Sequence, residues 1–393
     1  MKIVQINTFP YKATGTIMMN IHQRLQETGD DSYVVWARGR DATNDHEIVI
    51  KDYLGVRWHG LYTRLTDKTG FASKRATKKL IQKLEGIKPD IIHLHNIHGY
   101  YLNIDILFHY LKNTHLPIVW TFHDCWPFTG HCAYFDMVGC EKWKSGCGRC
   151  PQKKTYPASL VKDNSVWNWN KKRELFTDLN ITIVTPSRWL KNIVQQSFLK
   201  EYDVAVIHNG IDTNIFKPKK SGKSQCLPVQ NKKIILGVAS EWTDRKGYRD
   251  FFKLYSMLDN KKFVIVLVGL NKKQMGELPK GMIGIERTSD IQELVNLYSQ
   301  ADWLFNPTYD DNFPTTNLEA IACGTAVITY KTGGSPETVN GTNGWIVDKG
   351  DLERVCKIIN GNSHGMILLD DKFKKEAMIE SYLQLYKRVL GRR

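Results

Sequence analysis

Two carboxylates stand eight positions apart at the predicted start of a helix in the second half of the chain. They are Asp311 and Glu319, within the segment DDNFPTTNLEAIACGTAVI of residues 310–328. Thr316 begins a capping box of the S/T-x-x-E form that ends at Glu319. The backbone N–H groups of Thr315 and Thr316 would then lie at a helix N-terminus, where these donors and the helix dipole favour a diphosphate. The pattern predicts a nucleotide-sugar site, although Glu319 can also be a simple capping partner and Asp311 a solvated loop acid.

Two adjacent cations follow a predicted strand of residues 234–239. They are Arg245 and Lys246, in the segment WTDRKG of residues 242–247, which precedes an apolar pattern of helical period. Positive charges at a helix entrance stabilise a departing diphosphate, because they compensate the negative charge that develops on it. A pair of solvated surface cations is the alternative interpretation.

The first half of the chain carries two further candidates near the ends of predicted strands. Gly15 and Thr16 precede a helix expected from about Ile17, and a glycine there lets the backbone approach a ligand closely. An ordinary turn between strand and helix explains the same pattern. His123 follows the predicted strand of residues 118–122, where a histidine is either a structural residue or a titratable group lining a site.

Five of the eight cysteines lie between positions 125 and 150. Cys147 and Cys150 have the two-residue spacing of a zinc knuckle, and Cys132 and Cys140 can complete a tetrahedral site of four thiolates. A reducing cytoplasm disfavours disulfides. We therefore expect a structural zinc ion that holds together an irregular insertion of about residues 125–151. Free thiols, and a redox pair at Cys147 and Cys150, remain open alternatives.

The composition indicates ordered globular domains. The chain has 393 residues, of which 42% are hydrophobic and 24% charged, enough for two domains with full cores. The most apolar stretch, residues 263–270, has the length of a strand and not of a membrane span. The first residues, MKIVQI, form a predicted strand and not a signal peptide, so we expect a cytoplasmic protein. The net charge of +15 predicts an anionic partner: a nucleotide diphosphate, an acidic lipid surface or nucleic acid.

Much of the positive charge lies in residues 57–88, which also show apolar residues at helical spacing. Nine lysines and arginines occur there, accompanied by Trp58, Leu61, Tyr62 and Leu65. A basic amphipathic face of this kind suits an anionic membrane leaflet. A solvated helix face is the alternative. Nucleic-acid binding is not favoured, because the sequence contains no recognisable reader module.

Strand-sized apolar runs alternate with helical patterns along the chain, which predicts an α/β fold with parallel sheets covered on both faces. The predicted strands are residues 2–7, 32–35, 91–95, 118–122, 181–185, 204–207, 234–239, 263–268, 303–306 and 326–329. We expect two Rossmann-like domains facing across a cleft, with ligands at the carboxyl ends of the strands. The predicted domains are residues 1–216 and 231–371, joined by a linker over 217–233 and followed by a C-terminal helix within 372–393.

These motifs together resemble those of family 4 retaining glycosyltransferases of the GT-B fold. Asp311 and Glu319 match the family's E-x7-E signature, with Asp in place of the first Glu, and Lys246-Gly247 matches its phosphate-binding lysine. The resemblance extends to His123-Asp124, to the turn at residues 209–212 and to the loop at residues 333–337.

The sequence departs from the family pattern in two places. The usual arginine five residues before Lys246 is Glu241, and the usual Gly-Gly pair near the N-terminus is reduced to Gly15. Arg245 is the candidate that would supply the missing charge from a new position.

The resemblance implies a role for each matched residue. Glu319 would hold the ribose hydroxyls, Asp311 would contact the donor sugar, and His123 would donate a hydrogen bond near the reacting carbon. The catalytic candidates are His123, Asp311 and Lys246, and the substrate-binding candidates are Gly15, Thr16, Arg245, Lys246, Asp311, Asn312, Phe313, Pro314, Thr315, Thr316 and Glu319. Catalysis would need no divalent metal, because protein cations take its place. In this fold the C-terminal helix crosses back to the first domain.

We therefore expect a retaining hexosyltransferase that moves a sugar from a nucleoside-diphosphate sugar to a hydroxyl of a saccharide acceptor. By analogy with capsule and exopolysaccharide enzymes, the acceptor would be a lipid-linked oligosaccharide. The enzyme would be cytoplasmic and held at the inner face of the cell membrane by its basic face. Two alternatives remain: a GT-B sugar-nucleotide epimerase, and a non-catalytic nucleotide-sugar-binding scaffold at the membrane, which Glu241 makes plausible.

Overall fold

The computed structural model describes residues 1–219, 229, 231–361 and 366–391. The chain divides into two compact units, one of Met1–His208 with Met378–Arg393 and the other of Asn209–Ala377. Residues 209–216, which the sequence analysis assigned to the first domain, cluster with the second unit. Most of the predicted linker over 217–233 lies outside the described residues.

Seven parallel strands form the sheet of the first unit, in the order β3-β2-β1-β4-β5-β6-β7. Continuous apolar runs such as IVWT form its central strands because both faces of the sheet are covered by helices. The strands are β1 (Lys2–Ile6), β2 (Asp31–Trp36), β3 (Glu47–Val49), β4 (Ile91–Leu94), β5 (Ile118–Thr121), β6 (Ile181–Thr185) and β7 (Asp203–Val206). The helices are α1 (Lys12–Glu27), α2 (Tyr53–Thr66), α3 (Lys74–Ile87), α4 (Ile104–Thr114), α5 (Ser165–Phe176) and α6 (Arg188–Val194).

Six parallel strands form the sheet of the second unit, in the order β10-β9-β8-β11-β12-β13. They are β8 (Lys233–Val238), β9 (Phe263–Val268), β10 (Ile283–Ile285), β11 (Trp303–Asn306), β12 (Ala326–Tyr330) and β13 (Gly344–Val347). The helices are α7 (Tyr248–Met257), α8 (Lys272–Glu277), α9 (Ile291–Gln300), α10 (Thr315–Ala322) and α11 (Leu352–Gly361). Both sheets have Rossmann-like connectivity, so the predicted α/β class with two such halves is confirmed.

The last helix, α12 (Lys375–Leu390), belongs to the first unit from Met378 onward. Its apolar face is buried in one cluster with residues of the first sheet, including Ile3. The hydroxyl of Tyr386 lies 2.6 Å from Nδ1 of His93. The expected return of the C-terminal helix to the first domain is therefore observed.

Several local predictions were wrong. Strands β3, β10 and β13 were not predicted, because each has only three or four residues and none is a continuously buried apolar run. Helix α1 begins at Lys12 and not near Ile17. The capping box from Thr316 to Glu319 does not form: α10 begins at Thr315, its N-cap residue is Pro314, and no side chain caps it.

The cysteine-rich segment is irregular, as expected. Three short 3-10 turns interrupt it, at Trp126–Phe128, Asp136–Val138 and Lys142–Lys144. Among the described residues, no helix combines the length and apolar character needed to cross a membrane.

Candidate functional site

The candidate donor site of the second unit forms around the loop that follows β11. Asp311 lies in this loop, and its carboxylate accepts a hydrogen bond from Nζ of Lys246 in an ion pair. Only 24% of the Lys246 side chain and 14% of the Asp311 side chain are exposed. Burial alone would raise the pKa of Asp311, but the charges of Lys246 and Arg245 outweigh it and hold that pKa below its usual value. The fold thus brings these predicted site residues together as an ionised pair.

The 3-10 turn at Asp244–Lys246 presents the two cations. Nη1 of Arg245 donates a hydrogen bond to the backbone carbonyl of Asp310. Gly247 has a φ of +71°, and a Cβ at this position would lie 2.2 Å from the Pro307 carbonyl oxygen. Only glycine permits this close approach, so the turn is locked onto the loop after β11. Part of the hydrogen-bonding capacity of Arg245 is therefore used to hold that loop.

The loop at residues 333–337 also supports Asp311. The amide of Gly334 donates to the Asp311 carbonyl at 3.1 Å. Gly333 has a φ of +51°, and a Cβ there would lie 1.8 Å from the same carbonyl oxygen. Glycine at position 333 is therefore required by its contact with the backbone of Asp311.

Glu319 lies within α10 and is held by side chains. Its Oε2 accepts a hydrogen bond from the Tyr298 hydroxyl at 2.9 Å, and the side chain of Thr315 also hydrogen-bonds to the carboxylate. Burial raises the pKa of Glu319, and the two hydrogen bonds offset this only in part. Glu319 is thus a partly shielded acceptor, and its structural partner is Tyr298 and not the amide of Thr316.

The N-terminal end of α10 has no side-chain cap, because Pro314 occupies the N-cap position. Thr315 and Thr316 form the first turn and are partly exposed. Backbone N–H groups at such an uncapped end are suitable donors to an anion. Asn312 is buried, and the side chain of Phe313 is buried in a small apolar cluster, so Phe313 can offer a ligand only its backbone.

Glu241 occupies the position of the usual family arginine and is exposed. Lys246 and Arg245 are therefore the two cations that the described structure places beside Asp310 and Asp311.

Three histidines form a buried row in the first unit. The rings of His93 and His95 are 4.0 Å apart between centroids, and Nδ1 of His95 lies 3.0 Å from Nε2 of His123. Burial lowers the pKa of His93 to about 3, that of His123 to about 4, and that of His95 well below its usual value. All three rings are therefore neutral at neutral pH.

The hydrogen-bond partners decide which ring nitrogens carry hydrogen. Nε2 of Gln5 donates to the Met18 carbonyl at 3.3 Å, and Oε1 of Gln5 faces Nε2 of His95 at 3.4 Å. An amide oxygen only accepts, so Nε2 of His95 carries the hydrogen and its Nδ1 accepts. Nε2 of His123 then donates to His95, and Nδ1 is the accepting nitrogen of His123. This arrangement favours an accepting role for His123, whereas the resemblance implies a donating one.

Asp124, the neighbour of His123, is fixed by two partners. Its carboxylate lies 3.1 Å from Nε2 of His98 and accepts from the amide of Trp126 at 2.9 Å. Burial alone would raise the pKa of Asp124, but the contacts with His98 and Trp126 outweigh it and lower that pKa. These contacts hold the segment after β5 in one conformation.

Gly15 and Thr16 lie in the first turns of α1. A Cβ on Gly15 would lie 2.5 Å from the Phe9 carbonyl oxygen, so packing against the preceding loop requires this glycine. Thr16 is exposed. Contact of either residue with a ligand stays a prediction.

The four predicted zinc ligands line one cavity of about 10 Å³ in the cysteine-rich segment, together with His131. The Cys132 thiol is hydrogen-bonded to Cys150, and the amide of Gly130 donates to Sγ of Cys147 at 3.1 Å. Within the described ranges, no three His, Cys, Asp or Glu side chains are grouped so that they could hold a metal ion. The zinc site therefore stays a prediction, as does the redox pair.

Three supporting residues were not identified from the sequence: Gln5, Asp250 and Tyr298. Asp250 is buried and accepts from the hydroxyls of Tyr309 and Tyr330, each at 2.8 Å, which fixes the start of the loop that carries Asp311. One signal was present: a polar Gln5 within the apolar strand KIVQI requires a buried partner.

Glycosyltransferase families match both halves of the chain. The family described as Glycosyltransferase Family 4 matches residues 14–215, and the family described as Glycosyl transferases group 1 matches residues 232–361. A putative colanic acid biosynthesis glycosyl transferase, WcaC of Escherichia coli, is 25% identical over 381 residues, covering 91% of this chain and 90% of its own. An uncharacterised 41.2 kDa protein of the cps region of Klebsiella pneumoniae is 22% identical over 329 residues, covering 78% and 81%.

Two solved structures share the fold. Sucrose-phosphate synthase from Thermosynechococcus elongatus superposes with a TM-score of 0.75 at 14% identity over the full length of both chains. HepE from Anabaena, in complex with UDP-glucose, gives a TM-score of 0.66 at 16% identity over 99% of this chain and 100% of its own.

Proposed function

Because the chain belongs to glycosyltransferase family 4 and is a glycosyltransferase, we propose that it transfers a hexosyl residue, with retention, from a nucleoside-diphosphate sugar to a hydroxyl of a saccharide. The observation that carries this proposal is the ion pair of Lys246 with Asp311, four residues before the uncapped start of α10 at Thr315. A cation, first-turn amides and the carboxylate of Glu319 are the groups that a nucleoside diphosphate requires.

Each group has one role in the proposed reaction. The bond between the anomeric carbon and the diphosphate oxygen breaks, the acceptor oxygen replaces it, and the acceptor proton is released. Lys246, Arg245 and the amides of Thr315 and Thr316 stabilise the charge on the departing diphosphate. Glu319 accepts hydrogen bonds from the ribose hydroxyls, since a carboxylate has several acceptor positions and Tyr298 uses one of them.

Asp311 and His123 orient the donor sugar in this proposal. Asp311 is ionised, so it accepts from a sugar hydroxyl while it holds Lys246 in place. His123 accepts a hydroxyl hydrogen at Nδ1, because its Nε2 donates to His95. Correct orientation of the reacting carbon accounts for a large part of such a rate enhancement.

The named relatives support a role in surface polysaccharide synthesis. WcaC is described as a colanic acid biosynthesis enzyme, and the Klebsiella relative is from a cps region. We therefore propose a growing, lipid-linked saccharide as the acceptor. A nucleoside-diphosphate sugar is the proposed donor class, and UDP-glucose is the ligand of the HepE structure.

The test uses a panel of nucleoside-diphosphate sugars. The donor is identified by the thermal shift of the full chain, because a bound ligand stabilises the folded state. Transfer of the radiolabelled sugar to a lipid-linked saccharide fraction is then measured. Lys246→Ala should lower kcat by about a hundredfold, as expected for loss of one stabilising charge. Lys272→Ala, an exposed lysine on α8, is the control and should keep full activity.

Full transfer activity of Lys246→Ala would overturn the proposal. Thermal shift without any turnover would favour the nucleotide-sugar-binding scaffold, for which the exposed Glu241 is the supporting observation. Conversion of the donor that is fast in the absence of an acceptor would favour an epimerase.

We also propose a structural zinc ion held by Cys132, Cys140, Cys147 and Cys150. The support is that these thiols line one cavity of about 10 Å³, which is about the space for a single small occupant. Zinc binding would have to draw the four sulfurs around one point. Metal analysis of the purified chain should give about one zinc per molecule, and Cys140→Ser with Cys150→Ser should lose it. A metal-free, stable protein would disprove the site.

A further inference from the structure

Helix α2 exposes an apolar stripe to solvent. Leu54 is 80% exposed, Trp58 61%, Leu61 47% and Leu65 46%. Their spacings of four, three and four residues place all four side chains on one face of the helix. Large apolar side chains in a row normally face a core, so this stripe requires an explanation.

The opposite face of α2 is already packed. His59, Gly60 and Thr63 are buried, and Nδ1 of His59 lies 2.9 Å from the Ser73 hydroxyl. The amide of Gly70 donates to Nε2 of His59 at 3.0 Å. The helix is therefore anchored through its other side, and the apolar stripe cannot turn inward without breaking these contacts.

A neighbouring segment extends the apolar surface. The amide of Leu160 donates to the Arg64 carbonyl at 2.8 Å, and Nζ of Lys68 lies 3.9 Å from the ring centroid of Trp167. Leu160 is 66% exposed and Trp167 38%. Ten of the nineteen large exposed hydrophobic residues in the described part of the chain lie within 53–65 and 156–167. The concentration in one place indicates a surface for contact and not scattered exposure.

Cations border this surface. Arg57 and Arg64 lie on one flank of the α2 stripe, as their positions relative to Trp58 and Leu61 require. Lys153 donates to the carbonyl of Val161, so its ammonium lies beside the apolar segment.

The nearby carboxylates are bound within the fold. Asp52 caps α2 through the amide of Gly55. Asp163 accepts from Ser165 and from the amide of Cys150. Asp67 is buried in its pair with His131, and Arg57, Arg64 and Lys153 outnumber Asp52 and Asp163, so the net charge that this surface offers a partner is positive.

We propose that this apolar and basic surface, formed by α2 and residues 156–167, docks the protein on an anionic phospholipid bilayer. Leu54, Trp58, Leu61 and Leu65 enter the interface between headgroups and acyl chains, and the flanking cations bind lipid phosphates. Charge complementarity selects lipid over a neutral partner, and the net charge of +15 has the same sign. The proposal goes beyond the transfer reaction and does not depend on it. Docking would place the enzyme at the membrane that carries a lipid-linked acceptor.

The experiment is co-sedimentation of the full chain with sucrose-loaded vesicles. One set contains phosphatidylcholine alone, and the other contains equal parts of phosphatidylcholine and phosphatidylglycerol. The protein should partition mainly onto the anionic vesicles, and high salt should weaken binding because it screens the cations. Leu54→Ser combined with Trp58→Ser and Leu61→Ser should reduce partitioning at least about tenfold.

The matched control changes three exposed apolar residues of the second unit. Met257→Ser, Ile291→Ser and Ile346→Ser remove side chains that are 45%, 43% and 45% exposed, and vesicle binding should not change. Circular dichroism and thermal melting of each variant show whether it is folded. If the α2 variant is unfolded, Arg57→Gln with Arg64→Gln provides the second test, and it should reduce the preference for anionic vesicles several-fold.

Three results would overturn the proposal. They are equal partitioning onto both vesicle types at all salt concentrations, unchanged binding by a folded α2 variant, and absence of vesicle binding combined with self-association through α2. Because no sugar transfer is measured, these outcomes are independent of the outcome of the activity test.

Discussion

Asp311 and Glu319 have opposite pKa shifts although both are carboxylates of one candidate site. Lys246 and Arg245 lower the pKa of Asp311 against the effect of burial, whereas burial dominates at Glu319 and raises its pKa. A charge partner explains the first shift, and at Glu319 burial outweighs the hydrogen bonds from Tyr298 and Thr315. Asp311 is therefore a fixed negative charge, and Glu319 a carboxylate that a ligand's hydroxyls would help to ionise.

Glu319 should lower the stability of the fold at neutral pH. Its folded-state pKa is raised, so its contribution is favourable below the unfolded-state pKa and is lost as the pH rises through the folded-state value. Glu319→Gln should raise the Tm by about 2 °C at neutral pH, with a smaller difference in acid, and should abolish the thermal shift produced by the donor. Calorimetry checks the first effect. Glu277→Gln, on the exposed side of α8, should change neither the Tm nor the thermal shift produced by the donor. A lower Tm for Glu319→Gln at neutral pH would contradict this account.

Gln5 should control the tautomers of His95 and His123. Gln5→Met removes the acceptor that holds hydrogen on Nε2 of His95, so both rings should populate mixed tautomers and kcat should fall by about tenfold or more. The ¹⁵N shifts of the ring nitrogens report the tautomers directly. The control is Gln300→Met, since Gln300 is buried and its side-chain amide has no hydrogen-bond partner among the described residues. Unchanged ¹⁵N shifts of the His95 and His123 rings in Gln5→Met would disprove this control of the tautomers by Gln5.

Asp311, Glu319 and Lys246 were predicted from local motifs, because each belongs to a short segment with a recognisable pattern of residue types. Tyr298 and Gln5 were not found, since each contacts a site residue that is distant in sequence. The accepting role proposed for His123 also required the structure, because a tautomer depends on the partner of the other nitrogen.

Loops and short elements position the candidate donor site. Pro314 replaces a polar N-cap, which leaves the first turn of α10 without a side-chain cap and explains why the predicted capping box failed. Glycines at 247 and 333 adopt positive φ and admit backbone oxygens into the space of a side chain. The motif glycines therefore act by bringing loops together, and the site depends on that contact.

Gly333→Ala should disturb the site through the backbone. The added Cβ would collide with the carbonyl of Asp311 at a φ of +51°, so we expect a loss of stability of about 1–3 kcal/mol and a marked fall in kcat. Urea denaturation and initial rates measure the two effects. Gly276→Ala has no atom within 4 Å of its new Cβ and lies in α8, and it should be neutral or stabilise by up to about 1 kcal/mol. Equal behaviour of the two variants would refute the explanation.

All ten predicted strands are present in the structure, because a buried parallel strand is a continuous apolar run. The three missed strands, β3, β10 and β13, are short and lie at sheet edges. None of them is a continuously buried apolar run. Such strands form because a neighbouring strand offers hydrogen bonds, and that neighbour is not visible in a local window.

The C-terminal helix completes the core of the first unit. Residues from Met378 onward bury an apolar face in a cluster with Ile3, Ile21 and Val184. The first unit is therefore discontinuous in sequence, and its stability depends on residues that follow the entire second unit.

Leu385→Ala should destabilise the first unit. Leu385 is 2% exposed, so its truncation should cost about 2–5 kcal/mol in the free energy of unfolding. Lys387→Ala, on the exposed face of the same helix, should change it by less than about 0.5 kcal/mol. Chemical denaturation followed by circular dichroism makes the comparison. Equal values for the two variants would show that α12 is not part of this core.

The amino-acid sequence alone determined the α/β class, the two Rossmann-like halves and the family, and it predicted the acids and cations of the candidate donor site. These depend on the period of apolar residues and on short motifs, both of which are local. The tertiary structure decided the partners: Tyr298 for Glu319, the loops that hold Asp311, the tautomers of the histidine row, and the outward direction of the α2 stripe. Long-range contacts fix these features, since the burial and hydrogen bonding of a side chain depend on residues far away in the chain.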